Sequence, residues 1–282
     1  MELMTEKLET ESPDDEKLSA NVRTFQDTGY VVLDNIHESS KAASLRAAYD
    51  ELIECYLADQ GGIETFEGKA SGKNHIGIHP ALIAPWSDPQ IVAHPAVDRV
   101  LCELLGDDYQ CGYYHTNAAY PGSGIQHIHR DAGPIFTAGE MNVPHPVVSI
   151  VLNVPLCDFS EHNGSTEVWP GTHLLIDRRA EDSTDLVSRA AKRPSVRTNI
   201  SAGSVILRDL RMFHRGMPNR SGYVRGMLSI VYVRAFRVTG VLEIPESTWD
   251  SWPERVRQIF RNNKLIPDSE APQSYRNART SQ

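Results

Sequence analysis

Apolar positions in the first hundred residues recur at helical spacing, and further along they shorten into alternating runs. Leu18, Val22 and Phe25 are spaced for one face of a helix, and Gly29 is placed to stop it. The run from Tyr30 to Leu33 reads as a short strand. Ser39 or Ser40 can cap a second helix whose apolar face is Leu45, Tyr49, Leu52, Ile53 and Tyr56. Residues 59–90 are glycine-rich and irregular, and a loop that long inside a domain often serves as a lid or binding loop. His94 and Pro95 open a third helix carrying Val97, Val100, Leu101, Leu104 and Leu105, with Gly106 as its stop.

From about residue 109 short apolar or alternating runs are separated by Gly, Pro, Asn and Asp. Strands are predicted over 110–119, 124–130, 147–156, 165–169, 204–208 and 224–234. Such spacing argues for a β-sandwich or a jelly roll, and the expected fold is mainly β with flanking helices, a double-stranded β-helix of the jelly-roll kind. The stretch 175–200 is polar and predicted to be partly helical. Ser251 and Glu254 have capping-box spacing before a last helix with Val256, Ile259 and Phe260. No internal repeat is visible. The predicted organisation is a disordered acidic tail over 1–16, a single domain over 17–265 with its β-helix core at about 109–236, and a mobile tail over 266–282.

Of the 282 residues, 40% are hydrophobic and 23% charged, which is a globular composition rather than a disordered one. The first seventeen residues carry −5 of the net charge of −9, so the body is near neutral. It lacks the basic footprint of a nucleic-acid partner. No run approaches the roughly 18 apolar residues of a membrane span, and the acidic N-terminus is unlike a signal peptide. The expectation is a cytoplasmic protein with no nucleic-acid or membrane partner. Cys55, Cys102, Cys111 and Cys157 form no C-x-x-C pair and read as reduced, mostly buried thiols.

The chemistry-bearing residues are His129 and Asp131, one residue apart, followed by His214 and then Arg225. Two imidazoles and a carboxylate can occupy one face of an iron(II) ion and leave positions for substrate and dioxygen. An arginine eleven residues past the second histidine can grip the far carboxylate of a 2-oxo acid, since its parallel N–H groups match two oxygens. On a strand, His127, His129 and Asp131 share one face, so spacing alone does not choose between His127 and His129. An H-x-D triplet is a weak signal in a chain with 11 histidines. Arg211, Arg215 and Arg220 compete with Arg225 by position. Ser229 shares a strand face with Arg225 and Met227 and can add a hydrogen bond.

The surroundings add specificity. The entry from Phe25 to Leu33, the segment from Asn163 to His173 (NGSTEVWPGTH), and His214 with Arg225 occur in one order with His129 and Asp131. Over roughly residues 18–236 the chain resembles the phytanoyl-CoA dioxygenase family of iron(II)/2-oxoglutarate oxygenases, in its branch acting on small molecules and natural products of secondary metabolism. The resemblance implies a metal triad of His129, Asp131 and His214, with Arg225 on the distal carboxylate of 2-oxoglutarate. It implies Gln126 and Thr166 as helpers of that cosubstrate, His127 as a non-ligand and His173 as a structural residue. It further implies conversion of 2-oxoglutarate and O2 to succinate and CO2, coupled to oxidation, foremost hydroxylation, of an unactivated C–H bond. Asp131 argues against halogenation, because related halogenases lack the carboxylate ligand.

The substrate side is thinner. His75, Ile76, Ile78 and His79 are placed to contribute to a lid, Lys73, Asn74 and His75 give that loop hydrogen-bonding capacity, and Gly68–Lys73 lacks P-loop spacing. Tyr113, His115 and Asn117 alternate on one strand, and Phe136, Met141 and Val143 can form an apolar wall. The absence of a basic cluster favours a free small molecule over a CoA thioester. Two other readings fit the triad: a cupin-like metalloenzyme that does not use 2-oxoglutarate, and a non-catalytic ligand-binding relative. Oligomeric state is left open.

Overall fold

Helix α1 (Pro13–Thr28) begins inside the stretch expected to be a tail. Proline suits the first helical position, and Asp14, Asp15 and Glu16 lie at the helix's positive end. The computed structural model describes residues 13–63, 72–136 and 140–271, so the rest of the expected acidic tail lies outside the described residues. The helix ends at Gly29, whose φ of +89° suits glycine. Strand β1 (Tyr30–Leu33) follows as predicted. Helix α2 (Ser39–Gln60) buries Leu45, Tyr49, Leu52, Ile53 and Tyr56 as predicted. Its N-cap is Glu38, which makes no side-chain cap bond, so neither Ser39 nor Ser40 caps it.

The stretch 59–90 is more regular than expected. It holds β2 (His75–Ile78) and α3 (Pro89–Val92), while residues 64–71, including most of Gly68–Lys73, lie outside the described residues. A four-residue run containing glycine carries little strand signal by itself; β2 is a strand because β3 pairs with it from forty residues away. Helix α4 (Pro95–Leu105) matches the prediction, and His94 Nδ1 accepts the Ala96 N–H at 3.2 Å.

The β region comprises β3 (Gln110–Ala119), β4 (Ser149–Pro155), β5 (Glu167–Val168), α5 (Leu186–Ala190), β6 (Val196–Arg197), β7 (Val205–Asp209), β8 (His214–Arg215) and β9 (Arg225–Val233). The chain then adds β10 (Glu243–Pro245), α6 (Glu246–Ser251), α7 (Glu254–Ile259) and β11 (Lys264–Ile266). The predicted strand over 124–130 forms no ladder. Its N–H groups reach single carbonyls instead, Gln126 to Gly216 and His129 to His214. The capping box also fails: Ser251 closes α6 by donating to the Thr248 carbonyl, and Pro253 precedes α7. Val256, Ile259 and Phe260 are nevertheless buried as predicted. Residues 266–271, expected in the mobile tail, are placed: Ile266 pairs with Pro245, and Asp268 accepts from Ser247.

The main sheet is antiparallel with strand order β1-β7-β4-β9-β3-β2, and a smaller sheet has the order β6-β5-β8. This is the expected jelly-roll arrangement. The two faces of the main sheet differ because side chains alternate. Tyr114, Ile150, Leu152, Val154, Leu207, Leu228, Ile230 and Tyr232 pack with α2, α4 and α7 in one apolar core. Each such side chain, fully buried, contributes about 1.5–3 kcal/mol. Tyr113, His115, Asn117, Val151, Asn153, Arg208, Arg225, Met227, Ser229 and Val231 line a cavity of about 570 Å³ on the opposite face. A bulge between Cys111 and Tyr113 sets this parity, pairing Cys111 with Tyr232 and Tyr113 with Val231. No helix among the described residues is long and apolar enough to cross a membrane.

Candidate metal centre

The loop before Asp131 and strand β8 meet through a reciprocal backbone pair. The His129 N–H donates to the His214 carbonyl at 3.0 Å, and the His214 N–H returns to His129 at 2.9 Å. This single bridge brings the imidazole ring centroids to 4.2 Å. The Asp131 N–H donates to the Leu210 carbonyl at 2.9 Å. Asp131 Oδ1 thereby stands 3.5 Å from His214 Nε2 and 3.9 Å from His129 Nε2. Ligand atoms of these three residues lie within 4.8 Å of one another, the one such group among the described residues. Between His129 and Asp131, Arg130 turns away and is held by Asp177, which also binds Arg189 at 2.6 Å. That anchor fixes the ligand-bearing loop from outside.

Protonation suits a cation. Burial, reinforced by the nearby Arg208 guanidinium, lowers the His214 pKa to about 3, leaving a neutral imidazole at neutral pH. Burial opposes ionisation of Asp131, yet His214, Arg208 and His129 hold its carboxyl well below the usual range. Two imidazoles and one carboxylate are the donor set of a facial triad for non-haem iron(II), so the residues fit the group. Each ring also has an orienting partner: His129 Nδ1 lies 3.0 Å from the His127 carbonyl, and His214 Nδ1 lies 3.1 Å from the Met212 carbonyl. His127 is exposed and outside the close group, although it lines the cavity mouth.

Arg225 lies at the other end of the same cavity. It is buried, no carboxylate of the described residues pairs with it, and its Nε has no hydrogen-bond partner. Burial lowers its pKa to about 10, so it stays charged at neutral pH. The Phe159 ring lies 5.0 Å from the guanidinium carbon. Next to it, Gly226 touches α2 so closely that a Cβ there would stand 2.4 Å from the Tyr49 ring. Gln126 and Thr166 line the cavity, and Gln126 Oε1 accepts the Gly216 N–H at 2.7 Å. Gly216 leaves no room for a side chain, since a Cβ would meet that same oxygen at 2.5 Å.

In the cavity floor Ser229 Oγ accepts from Asn153 at 3.0 Å and from Asn117 at 3.4 Å, which leaves its hydroxyl hydrogen to donate. His115 lies beside His79 and Tyr113, with ring centroids 4.7 and 5.5 Å away, and burial followed by His79 lowers its pKa to about 3. His75 also lines the cavity, whereas Ile76 and Ile78 are in the core. Phe136, Met141 and Val143 do not line this cavity; they line a small separate pocket with His145 and His173. His173 packs against Gly29 and its Nε2 lies 3.0 Å from the Gln26 carbonyl, a structural position.

Sequence reading missed Arg208, Asn153 and Asp177. Asn153 had a signal, a polar residue within an otherwise apolar strand run, and Arg208 a weaker one, a charge directly after three apolar strand residues. Asp177 had none, because its partners Arg130 and Arg189 are distant in sequence.

A family model for phytanoyl-CoA dioxygenase (PhyH) matches residues 25–227. The chain belongs to the phytanoyl-CoA dioxygenase family. Among similar proteins, Dioxygenase trt7 of Aspergillus terreus is 32% identical over 139 residues, 48% of this chain and 46% of that protein. The iron/alpha-ketoglutarate-dependent dioxygenase ausO of Aspergillus calidoustus is 29% identical over 118 residues, 40% of this chain and 36% of that protein. The match thus spans half or less of these two curated relatives. The fold is shared with the epimerase SnoN, solved in complex with Fe3+, alpha ketoglutarate and nogalamycin RO. That likeness has a TM-score of 0.57 at 19% identity, covering 92% of this chain and 98% of SnoN.

Proposed function

We propose that this chain is an iron(II)- and 2-oxoglutarate-dependent dioxygenase that hydroxylates an unactivated C–H bond of a small, uncharged molecule of secondary metabolism. The observation that carries this reading is the buried, unpaired Arg225 in the same cavity as His129, Asp131 and His214. A buried guanidinium without a carboxylate is costly, and a dicarboxylate cosubstrate supplies the partner. A cupin-like enzyme that does not use 2-oxoglutarate has no need of it.

Iron(II), held by His129, Asp131 and His214, supplies activation of dioxygen coupled to decarboxylation of 2-oxoglutarate to succinate and CO2. Arg225 grips the distal carboxylate of 2-oxoglutarate, with Thr166 and Gln126 lining its bed. Ser229 lies four residues further along β9, about 13 Å from Arg225 along the strand, so its hydroxyl donates into the middle of the cavity. The cavity size suits a drug-sized ligand. With Asp131 paired to Arg208 and Arg225 committed to 2-oxoglutarate, no unpaired fixed charge is left among the buried described residues lining it. His115 is neutral, and the half-exposed Tyr113 stands at the rim. These features support an uncharged substrate over a CoA thioester. The test is succinate formation from 2-oxoglutarate by the iron-loaded protein with and without candidate neutral substrates. Turnover that survives Arg225→Ala with unchanged 2-oxoglutarate dependence contradicts the reading.

A further inference from the structure

Arg208 is the fourth residue of β7, after Val205, Ile206 and Leu207 and before Asp209, and is buried. A charge in that position needs specific partners. The polar contacts of its side chain both fall on the candidate ligands. One Nη donates to Asp131 Oδ2 at 2.6 Å, and the other lies 3.1 Å from His214 Nδ1. The nearby Arg211 is spent differently, on Asp209 and His145.

We propose that Arg208 is a positioning residue that fixes Asp131 as a one-oxygen metal ligand; the proposal rests on the metal reading above. The geometry separates the two carboxylate oxygens. Oδ2 is taken by the guanidinium, and Oδ1 is the oxygen that faces both imidazoles, at 3.5 and 3.9 Å. A carboxylate free at both oxygens can chelate through both and fill a position that the cosubstrate or dioxygen needs. Arg208 blocks that mode and keeps the Asp131 plane in one orientation. His214 Nδ1 has a second partner, the Met212 carbonyl at 3.1 Å. A metal-binding His214 presents its lone pair on Nε2 and carries its hydrogen on Nδ1, which it then gives to Met212. In that tautomer the Arg208 fork retains its Asp131 arm, the arm that matters here.

The sign of the effect makes this testable. If Arg208 were only a nearby positive charge, its removal would strengthen cation binding. If it positions Asp131, removal weakens binding, by about 10–100-fold as for other partners of metal ligands. The experiment is an anaerobic titration of the full chain with cobalt(II), read by its visible ligand-field bands, for wild type, Arg208→Gln and Arg208→Lys. Weaker binding and altered bands are expected in Arg208→Gln, with partial recovery in Arg208→Lys, which keeps a donor to Oδ2. Should Arg208→Gln fail to fold, Arg208→Met, of similar length and without any donor, takes its place with the same expectation. Wild-type affinity and unchanged bands in the folded Arg208→Gln or Arg208→Met protein overturn the proposal. A wild-type chain that takes up no cobalt overturns the metal reading instead.

Discussion

At one end of the cavity Asp131 is paired at 2.6 Å with Arg208 and faces His129 and His214; at the other, Arg225 is buried with its Nε unbonded. The first end is complete before any ligand arrives: backbone bridges fix the histidines and a guanidinium orients the carboxylate. The second is a charge held open by packing, with Phe159 across its face and Tyr49 pressed against the neighbouring glycine. The chain thus holds the proposed metal ligands in place by its own contacts and leaves an unpaired guanidinium for the proposed cosubstrate.

Asp131→Ala removes the one anionic ligand and should abolish metal uptake and turnover together; full activity in that variant ends the triad assignment. Arg225→Ala should separate the two ends. Loss of one partner of a buried charge pair costs about 2–5 kcal/mol, so 2-oxoglutarate binding should weaken by roughly 30-fold or more. Iron binding should stay near wild type, and calorimetry on the same sample reads both. Gly226→Ala tests whether packing holds Arg225 in place. The added methyl meets the Tyr49 ring, so stability should drop by about 1–3 kcal/mol, with 2-oxoglutarate affinity falling more than iron affinity.

Between the ends, burial holds His115 neutral, with a pKa of about 3 against an ordinary value near 6.5. The unfolded chain therefore binds a proton that the folded chain refuses between those values. Stability is lost as pH falls from about 6.5 towards 3, by up to about 1.4 kcal/mol per pH unit from this group. Urea midpoints of wild type and His115→Gln between pH 7 and 5 should diverge accordingly; parallel curves contradict a neutral floor. The smallest effect belongs to His127→Ala, which should leave iron affinity within about twofold, because its ring stands outside the close group.

How much of this was legible in the sequence depends on the range of the interaction. The faces of α2 and α4 and the long strands β3, β4 and β9 were readable because each carries its own apolar period. The spacing of His129, Asp131, His214 and Arg225 was readable as chemistry, and the fold brings the first three together. Strands β2, β10 and β11 were not readable, since they are short and exist through partners elsewhere in the chain. The same holds for the anchoring of Arg130 by Asp177. Phe136, Met141 and Val143 lie close in sequence to Asp131, and proximity along the chain misassigned them to the cavity wall. Parity left His127 open because it presumed a regular strand at 124–130, where the backbone makes one isolated bridge.

The most direct test is anaerobic titration of the metal-free protein with iron(II) and then 2-oxoglutarate, watching the weak visible metal-to-ligand charge-transfer band. The account predicts a band that saturates near one equivalent of 2-oxoglutarate and that needs far more in Arg225→Ala. Iron bound without any such band would contradict it.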